Sequence, residues 1–374
     1  MIKSPEVKIG NICIGGNNPI AIQSMTNTNT ADTEASVSQC IELFDAGAEI
    51  VRLTVNDHEA AVAIPKIKSS LKKKGYSGPL VGDFHFNSFE LLNAYPDMAS
   101  SLDKYRINPS NIDDFNGVIH ITKANNKPIR IGINAGSIQT KSKNILDDMV
   151  SIALKYAQDA EELGLPRDQI VISVKISDVM ECVKVHEMLH KKMQELKRVY
   201  ALHIGLTEAG SGLKGAIYST SALSILLNKG IGDTIRVSIT SEPHESRTKE
   251  IKIAKNILQA LSLRFYHPQI ISCPGCGRTD NEYFQDLSQK IKKYVEDNAE
   301  KWLQINPQTA TLKIAVMGCR VNGPGESQSA DIGINLPGKT EEKMATVYTK
   351  GKYLKTLKGK NIYNEFIEIL ENFI

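Results

Sequence analysis

From about residue 20 to residue 262, short β-branched runs alternate with longer amphipathic stretches at a spacing of roughly thirty residues, the rhythm of βα units. Few folds are open to such a chain, because parallel strands buried on both faces need a covering helix in each crossover. The runs are Ile20 to Ser24, Ile50 to Thr54, Leu80 to Asp83, Lys104 to Ile107, Ile129 to Ile133, Ile170 to Lys175, Leu202 to Gly205 and Thr234 to Ser238. Helical spacing of apolar residues marks Thr33 to Ala46, Ile145 to Leu163, Val179 to Leu196, Ala222 to Asn228 and Lys249 to Leu261 between them. Eight units predict a closed (β/α)8 TIM barrel; an open doubly wound sheet is the alternative.

The rhythm stops near Tyr266-His267-Pro268, where proline disfavours helix for the residue before it. Residues 1–264 are therefore assigned to the barrel and 265–374 to a smaller α+β domain. That domain is expected to hold a helix from Asn281 to Asp297, a strand from Leu312 to Met317, strands near Asp331 to Ile334 and Met344 to Tyr348, and a closing helix. Ile362, Phe366, Ile369, Leu370 and Phe373 mark the core face of the last element.

Two glycine-rich segments of the second domain, Cys273-Pro274-Gly275-Cys276-Gly277-Arg278-Thr279 and Gly318-Cys319-Arg320-Val321-Asn322-Gly323-Pro324-Gly325-Glu326, carry three thiols and a carboxylate. The two-residue gap lets Cys273 and Cys276 reach one centre, and the apolar strand before Cys319 delivers a third sulfur. Soft thiolates favour zinc or an iron-sulfur centre. Cys13, Cys40 and Cys182 read as packing residues, the usual role of a lone buried cysteine. Glu326 is then the candidate fourth ligand, with Asn322-Gly323-Pro324-Gly325 expected to make a tight reversal that brings it back beside Cys319.

In a barrel the C-terminal strand ends face the active site, and here the strands are rich in cations. Arg52, Arg106, Arg130, Lys175 and Arg236 lie in or beside apolar strands, and Asn134 follows Arg130. So many like charges in one pocket call for a polyanion, and a small diphosphate fits because guanidinium groups grip phosphate oxygens in pairs. His85 and Asn87 after the third run and Glu208 after the seventh add hydrogen bonding and acid/base capacity at the rim. As a proton donor beside cations, Glu208 needs burial or a negative neighbour. The basic stretches Lys72-Lys73-Lys74 and Lys350 to Lys360 read as solvated surface.

The net charge of +3 is too small for a nucleic-acid or membrane polyelectrolyte partner. No stretch has the apolar length of a membrane span, and residues 1–10 lack a signal-peptide pattern, so a cytoplasmic location is expected. Six cysteines in 374 residues do not form the dense framework of a small disulfide-stapled domain.

The chain closely resembles the bacterial 4-hydroxy-3-methylbut-2-enyl diphosphate synthase family. The resemblance rests on Ser24-Met25-Thr26-Asn27-Thr28, Val51-Arg52-Leu53-Thr54, Asp83 to Asn87, Tyr105-Arg106-Ile107-Asn108-Pro109, Arg130-Ile131-Gly132-Ile133-Asn134, Leu206 to Gly210, Gly232 to Ser238 and both cysteine segments. It implies a barrel that holds 2-C-methyl-D-erythritol 2,4-cyclodiphosphate and a second domain, related to a sulfite-reductase half, that holds a [4Fe-4S] cluster. By the same resemblance Cys273, Cys276, Cys319 and Glu326 ligate the cluster, and Arg52, Arg106, Arg130, Lys175 and Arg236 grip diphosphate. His85, Asn134 and Ser238 contact the substrate, and Glu208 is the acid that helps expel oxygen as water.

The resemblance also implies a homodimer in which one subunit's cluster domain caps the other's barrel. No insertion separates the two domains, as in the short bacterial form. No glycine-rich dinucleotide fingerprint follows a strand, so the two electrons are expected from an external flavodoxin or ferredoxin. Two departures stand out: Gly275 where the family often has a polar residue, and Arg320 where a small apolar one is common. The rival readings are a structural zinc module on a pterin-type transferase barrel, and a non-catalytic iron-sulfur sensor.

Overall fold

The first strands along the chain are ones that periodicity does not reveal. Val7–Ile9 (β1) and Ile12–Ile14 (β2) form an antiparallel hairpin, each strand too short to display an alternation. Buried Val7, Ile9 and Ile14 pack against Ala21, Ile50, Val81, Val171 and Ala201, all at or next to the first residue of a later strand. The hairpin is thus an apolar floor under one end of the barrel. The computed structural model describes the chain apart from residues 1, 139–143, 243–244 and 340–343. Two compact units, Met1–Arg264 and Phe265–Ile374, divide it.

Ala21–Met25 (β3), Ile50–Thr54 (β4), Leu80–Asp83 (β5), Lys104–Ile107 (β6), Ile129–Asn134 (β7), Ile170–Lys175 (β8), Ala201–Ile204 (β9) and Thr234–Ile235 (β10) close into a parallel barrel, with β10 returning to pair with β3. The expected TIM barrel is therefore present. The strand β10 ends earlier than the predicted Ser238 because the chain exchanges its ladder for other partners. The Ile239 amide donates to Glu250 Oε1 at 3.1 Å and the Thr240 amide to the Gly210 carbonyl at 3.0 Å.

Around the barrel lie Thr33–Asp45 (α1), His58–Lys73 (α2), Ser88–Ala94 (α3), Pro96–Ser101 (α4), Phe115–Ala124 (α5), Ile145–Glu162 (α6), Val179–Glu195 (α7), Gly212–Asn228 (α8) and Thr248–Ala260 (α9). Asp32, Asp57, Asp114 and Asp178 cap α1, α2, α5 and α7 by accepting an otherwise orphaned first-turn amide. The helix α8 starts at Gly212, well before the predicted Ala222, because exposed Leu213 and Ile217 blur its apolar stripe.

The second unit holds Gln269–Ser272 (β11), Asn281–Ile305 (α10), Lys313–Met317 (β12), Gly323–Ser329 (α11), Ile332–Asn335 (β13), Met344–Thr349 (β14), Lys352–Lys358 (β15) and Ile362–Phe373 (α12). Its strands form one sheet in the order β11-β12-β13-β14-β15, parallel for the first three and antiparallel for the last two. Alternate residues serve two faces. Ile314 and Val316 join the core made with α10 and α12, while Ala315 and Met317 pack with Ala330 on the other side. The helix α10 runs past the predicted Asp297 to Ile305 because Trp302 still reaches that core. The lysine-rich stretch is the edge strand β15, where exposed lysines discourage pairing with another chain.

One expectation is overturned. Asn322-Gly323-Pro324-Gly325 is not a tight reversal but the entry into α11, with Asn322 at the cap and Pro324 within the first two positions. Proline is suited there because its missing N–H falls among donors that have no helical partner anyway. Among the described residues no helix is long and apolar enough to cross a membrane.

The hairpin floor carries a stability prediction. Ile9→Ala leaves a cavity under the barrel and is expected to cost about 2–4 kcal/mol, read as a lower denaturant midpoint at unchanged slope.

Candidate functional site

Within the barrel, side chains at alternate positions share the interior. Tyr105 turns outward to donate to the Ala99 carbonyl, so Lys104 and Arg106 on either side of it face the opposite way. Among the described residues Arg52, Lys104, Arg106, Arg130 and Lys175 are buried, while the buried carboxylates are Asp83 and Glu250. Arg236, just past β10, is half-buried. The expected cations are thus brought together, but Arg130, the second residue of β7, is rooted deeper than the strand ends where they were expected.

Asp83 is the pivot. Its Oδ1 accepts from Arg106 Nη1 at 2.9 Å, and its Oδ2 lies 3.5 Å from Arg52 Nε and 3.8 Å from His85 Nε2. His85 Nε2 also lies 3.1 Å from Arg106 Nη1. Burial works against the Asp83 anion, yet the charges of Arg52 and Arg106 hold it well below the usual carboxylate range. Burial draws the Arg52 guanidinium down to about 9, with Arg236 and Arg106 repelling it while Asp83 holds it up. Burial likewise pulls Lys104, Arg130 and Lys175 well below their ordinary values, with Arg130 and Arg52 adding to the effect on both lysines. Arg106 Nε, Arg130 Nε and Nη1, and Arg236 Nε are buried without a partner among the described residues. The interior is rich in charged donors and poor in acceptors.

The rim is built by the loops after β7, β9 and β10. Asn134 ends β7, half-buried. Ser238 lies on the loop after β10, which is tied by the Thr240 amide to the loop after β9. That second loop carries Glu208 at φ 55°, a left-handed conformation uncommon outside glycine that the chain also adopts at Asn126, Lys197, Ser262 and Lys350. Glu208 is exposed, without the burial that the sequence reading asked of a proton donor.

In the second unit the parallel pairing of β11 with β12 puts two thiols at one end of the sheet. Cys273 follows β11, Cys319 lies two residues beyond β12, and the Gly318 amide donates to Cys273 Sγ at 3.3 Å. Gly318 is needed for this meeting: a Cβ there would stand 2.5 Å from Thr279 Cγ2, which comes from the other cysteine segment. Thr279 in turn donates its amide to the Cys276 carbonyl at 3.0 Å and bridges to Gly338. Gly275 adopts φ 76°, which accounts for glycine between the cysteines. The Arg278 amide, helped by the Thr279 hydroxyl and the Arg278 charge, pulls the exposed Cys276 thiol below its ordinary value, favouring the thiolate that ligates metal.

Glu326 is exposed in the first turn of α11. The helix is seated by Ser327 Oγ, which donates to buried Asn335 Oδ1 at 2.6 Å. Among the described residues no three His, Cys, Asp or Glu side chains converge on one point as ligands of a single ion do. A four-iron cluster takes its protein ligands on separate irons and asks for no such convergence. Cys40 and Cys182 are fully buried in α1 and α7, their thiols pushed up by burial to about 12 and 11, as packing cysteines should be. Cys13 lies in β2.

Residues 4–255 match the model of the GcpE TIM-barrel domain, and residues 269–372 match that of the GcpE protein C-terminal domain. The chain belongs to the GcpE family. This family converts 2-C-methyl-D-erythritol 2,4-cyclodiphosphate to 4-hydroxy-3-methylbut-2-enyl diphosphate in the methylerythritol phosphate isoprenoid pathway, as an iron-sulfur reductase, and the chain is such an enzyme. GcpE proteins generally carry a [4Fe-4S] cluster. Among solved structures, dihydropteroate synthase from Xanthomonas albilineans is similar at 12% identity and TM-score 0.50, covering 69% of this chain and 99% of that one. The Stenotrophomonas maltophilia dihydropteroate synthase is similar at 13% identity and TM-score 0.51, covering 69% and 98%. At such identity the likeness concerns the barrel fold alone.

Asp83, Lys104 and His203 belong to the same interior and were not among the candidate residues. Lys104 and Arg106 repeat with the period of two that marks one strand face, a signal the sequence does hold. His203, buried in β9 and bonded through Nδ1 to Thr234 Oγ1 at 2.6 Å, looks from sequence like any core histidine.

Asp83→Asn is expected to destabilise the GcpE barrel by about 3–5 kcal/mol at neutral pH, since it strands two buried cations. The folded Asp83 titrates below its unfolded value of 3.8, so its contribution is complete above that pH and is lost as pH falls through the folded value. Denaturant unfolding of both proteins should converge in that acid window.

Proposed function

We propose that the barrel of this GcpE protein binds the cyclic diphosphate with Arg52, Arg106, Arg130, Lys175 and Arg236, and that Cys273, Cys276, Cys319 and Glu326 hold a [4Fe-4S] cluster on the second unit. The observation that carries the first half is the buried set of cations with unpaired guanidinium donors around Asp83. A diphosphate supplies the acceptors and the negative charge that this interior lacks. The second half rests on the donor set: two thiols at one sheet end, a third whose thiolate is favoured, and a carboxylate that can yield its place to substrate oxygen.

In this reading Asp83 keeps Arg52 and Arg106 apart and aimed, while His85, Asn134 and Ser238 hydrogen-bond the phosphates or hydroxyls. A [4Fe-4S] cluster held by Cys273, Cys276, Cys319 and Glu326 would supply the electrons one at a time. Overall two electrons enter, the carbon–oxygen bond that closes the ring to phosphate breaks, and one oxygen leaves as water. Glu208, held at the rim by its strained backbone, delivers a proton to the departing oxygen. The freed phosphate, with more negative charge than the ring carried, is neutralised by the same cations.

The two halves of this chemistry sit on different units of the chain. We place them together in a homodimer, one subunit's cluster unit over the other's barrel, with a flavodoxin or ferredoxin as electron donor in the cytoplasm. Domain bounds of 1–264 for substrate and 265–374 for the cluster follow from the same reading.

The deciding experiment is an anaerobic visible spectrum with iron and sulfide assay, followed by dithionite-reduced dye and the cyclic diphosphate. A brown protein that forms the allylic diphosphate supports the reading; a colourless zinc protein sinks the cluster assignment, and a brown protein that ignores the substrate is a sensor. Glu326→Ala should lower turnover roughly 100-fold or more, and near-normal activity removes it as a ligand. Arg236→Ala should raise KM by roughly 10-fold or more through loss of a charged hydrogen bond; an unchanged KM removes it from the diphosphate site.

A further inference from the structure

We infer that Arg247, held by Glu250, is a further diphosphate-binding residue of the barrel, an inference that rests on reading this interior as the substrate pocket. Arg247 follows the loop after β10 and stands at the start of α9. Its side chain is only 14% exposed, and its Nη2 donates to Glu250 Oε1 at 2.8 Å. Its Nε is buried with no partner among the described residues.

Glu250 connects this arginine to the pocket. It is 2% exposed, and the oxygen that accepts from Arg247 also accepts the Ile239 amide at 3.1 Å, fixing the loop that carries Arg236 and Ser238. Glu250 is the strongest favourable charge acting on Arg236, whereas the charge of Arg247 bears unfavourably on both Arg236 and Arg52. Arg247 therefore lies within the field of two cations of the candidate site, and one carboxylate serves two guanidiniums.

The Glu250 carboxylate also faces Arg236, so it does not by itself offset the charge of both arginines. The N-terminus of α9 is the positive end of its dipole and disfavours a cation, and two further guanidiniums add to the repulsion. At that end the Thr248 amide donates to Ser246 Oγ at 3.0 Å. An anion at the mouth satisfies the unpaired Nε and the excess charge together. The loops after the last two strands are also where TIM barrels most often bind phosphate. Arg247 would then grip one phosphoryl group from the β10 side while Glu250 sets its direction, making Glu250 a positioning residue.

The test uses the full chain and two variants, Arg247→Ala and Arg247→Gln, so that a folding defect in one leaves the other. Calorimetric titration with inorganic diphosphate should give roughly 10- to 100-fold weaker binding in the variants, the loss expected for one charged hydrogen-bonding group. In the iron-loaded enzyme KM for the cyclic diphosphate should rise by a similar factor, with kcat changed much less. Variant affinities within about twofold of the wild type, with or without a lower melting temperature, overturn the inference and leave Arg247 a structural tie. A wild-type chain that binds neither inorganic nor cyclic diphosphate overturns the pocket reading itself.

Discussion

The carboxylate of Asp83 lies between the guanidiniums of Arg52 and Arg106 inside a closed barrel, and the arrangement around it depends on that contact. Five buried cations would be intolerable in a core without it, since each loses its hydration and repels the others. One buried aspartate relieves two of them and leaves a net positive interior. The charge imbalance is tolerable because the apolar work is done elsewhere: the β1–β2 hairpin closes the barrel below, and the helices cover it outside. The strain that remains is what a polyanion would relieve in the proposed site, because its oxygens would complete pairings that the fold by itself leaves open.

The second unit solves a different problem by different means. Its candidate ligands lie on loops at the end of a sheet whose core is conventional, with Trp302, Phe366 and Ile314 among its buried members. Parallel pairing makes the difference, for it sends β11 and β12 out at the same end and so brings Cys273 and Cys319 into neighbouring loops. In the proposed reading, exposure would suit redox chemistry, where electrons must arrive from outside, as enclosure would suit charge recognition in the barrel. The β10 loop shows the economy of the first unit: by leaving its ladder early it frees the Ile239 amide to be held by Glu250, whose charge also favours Arg236.

Legibility followed the length and repetition of each signal. The barrel strands were plain because each is a buried apolar run at a regular interval, and the arginines were plain because charge in such a run needs an explanation. The hairpin was hidden because three-residue strands have no measurable period. The α11 entry was misread because Asn-Gly-Pro-Gly serves a turn and a helix start equally well, and only the seating of Ser327 on Asn335 selects the helix. Arg247 gave no signal at all, being one basic residue in a polar loop.

The sequence by itself determined the rhythm of eight βα units, the spacing of the thiols and the identity of the cations, because these are properties of local pattern and of residue type. Only the tertiary structure decided which of those cations share Asp83, which glycines let two loops touch, and which carboxylate holds Arg247. The physical reason is range: propensity and periodicity act over a turn or a strand, whereas charge pairing and close approach join residues far apart in the chain, as Gly318 meets Thr279 and Ile239 meets Glu250.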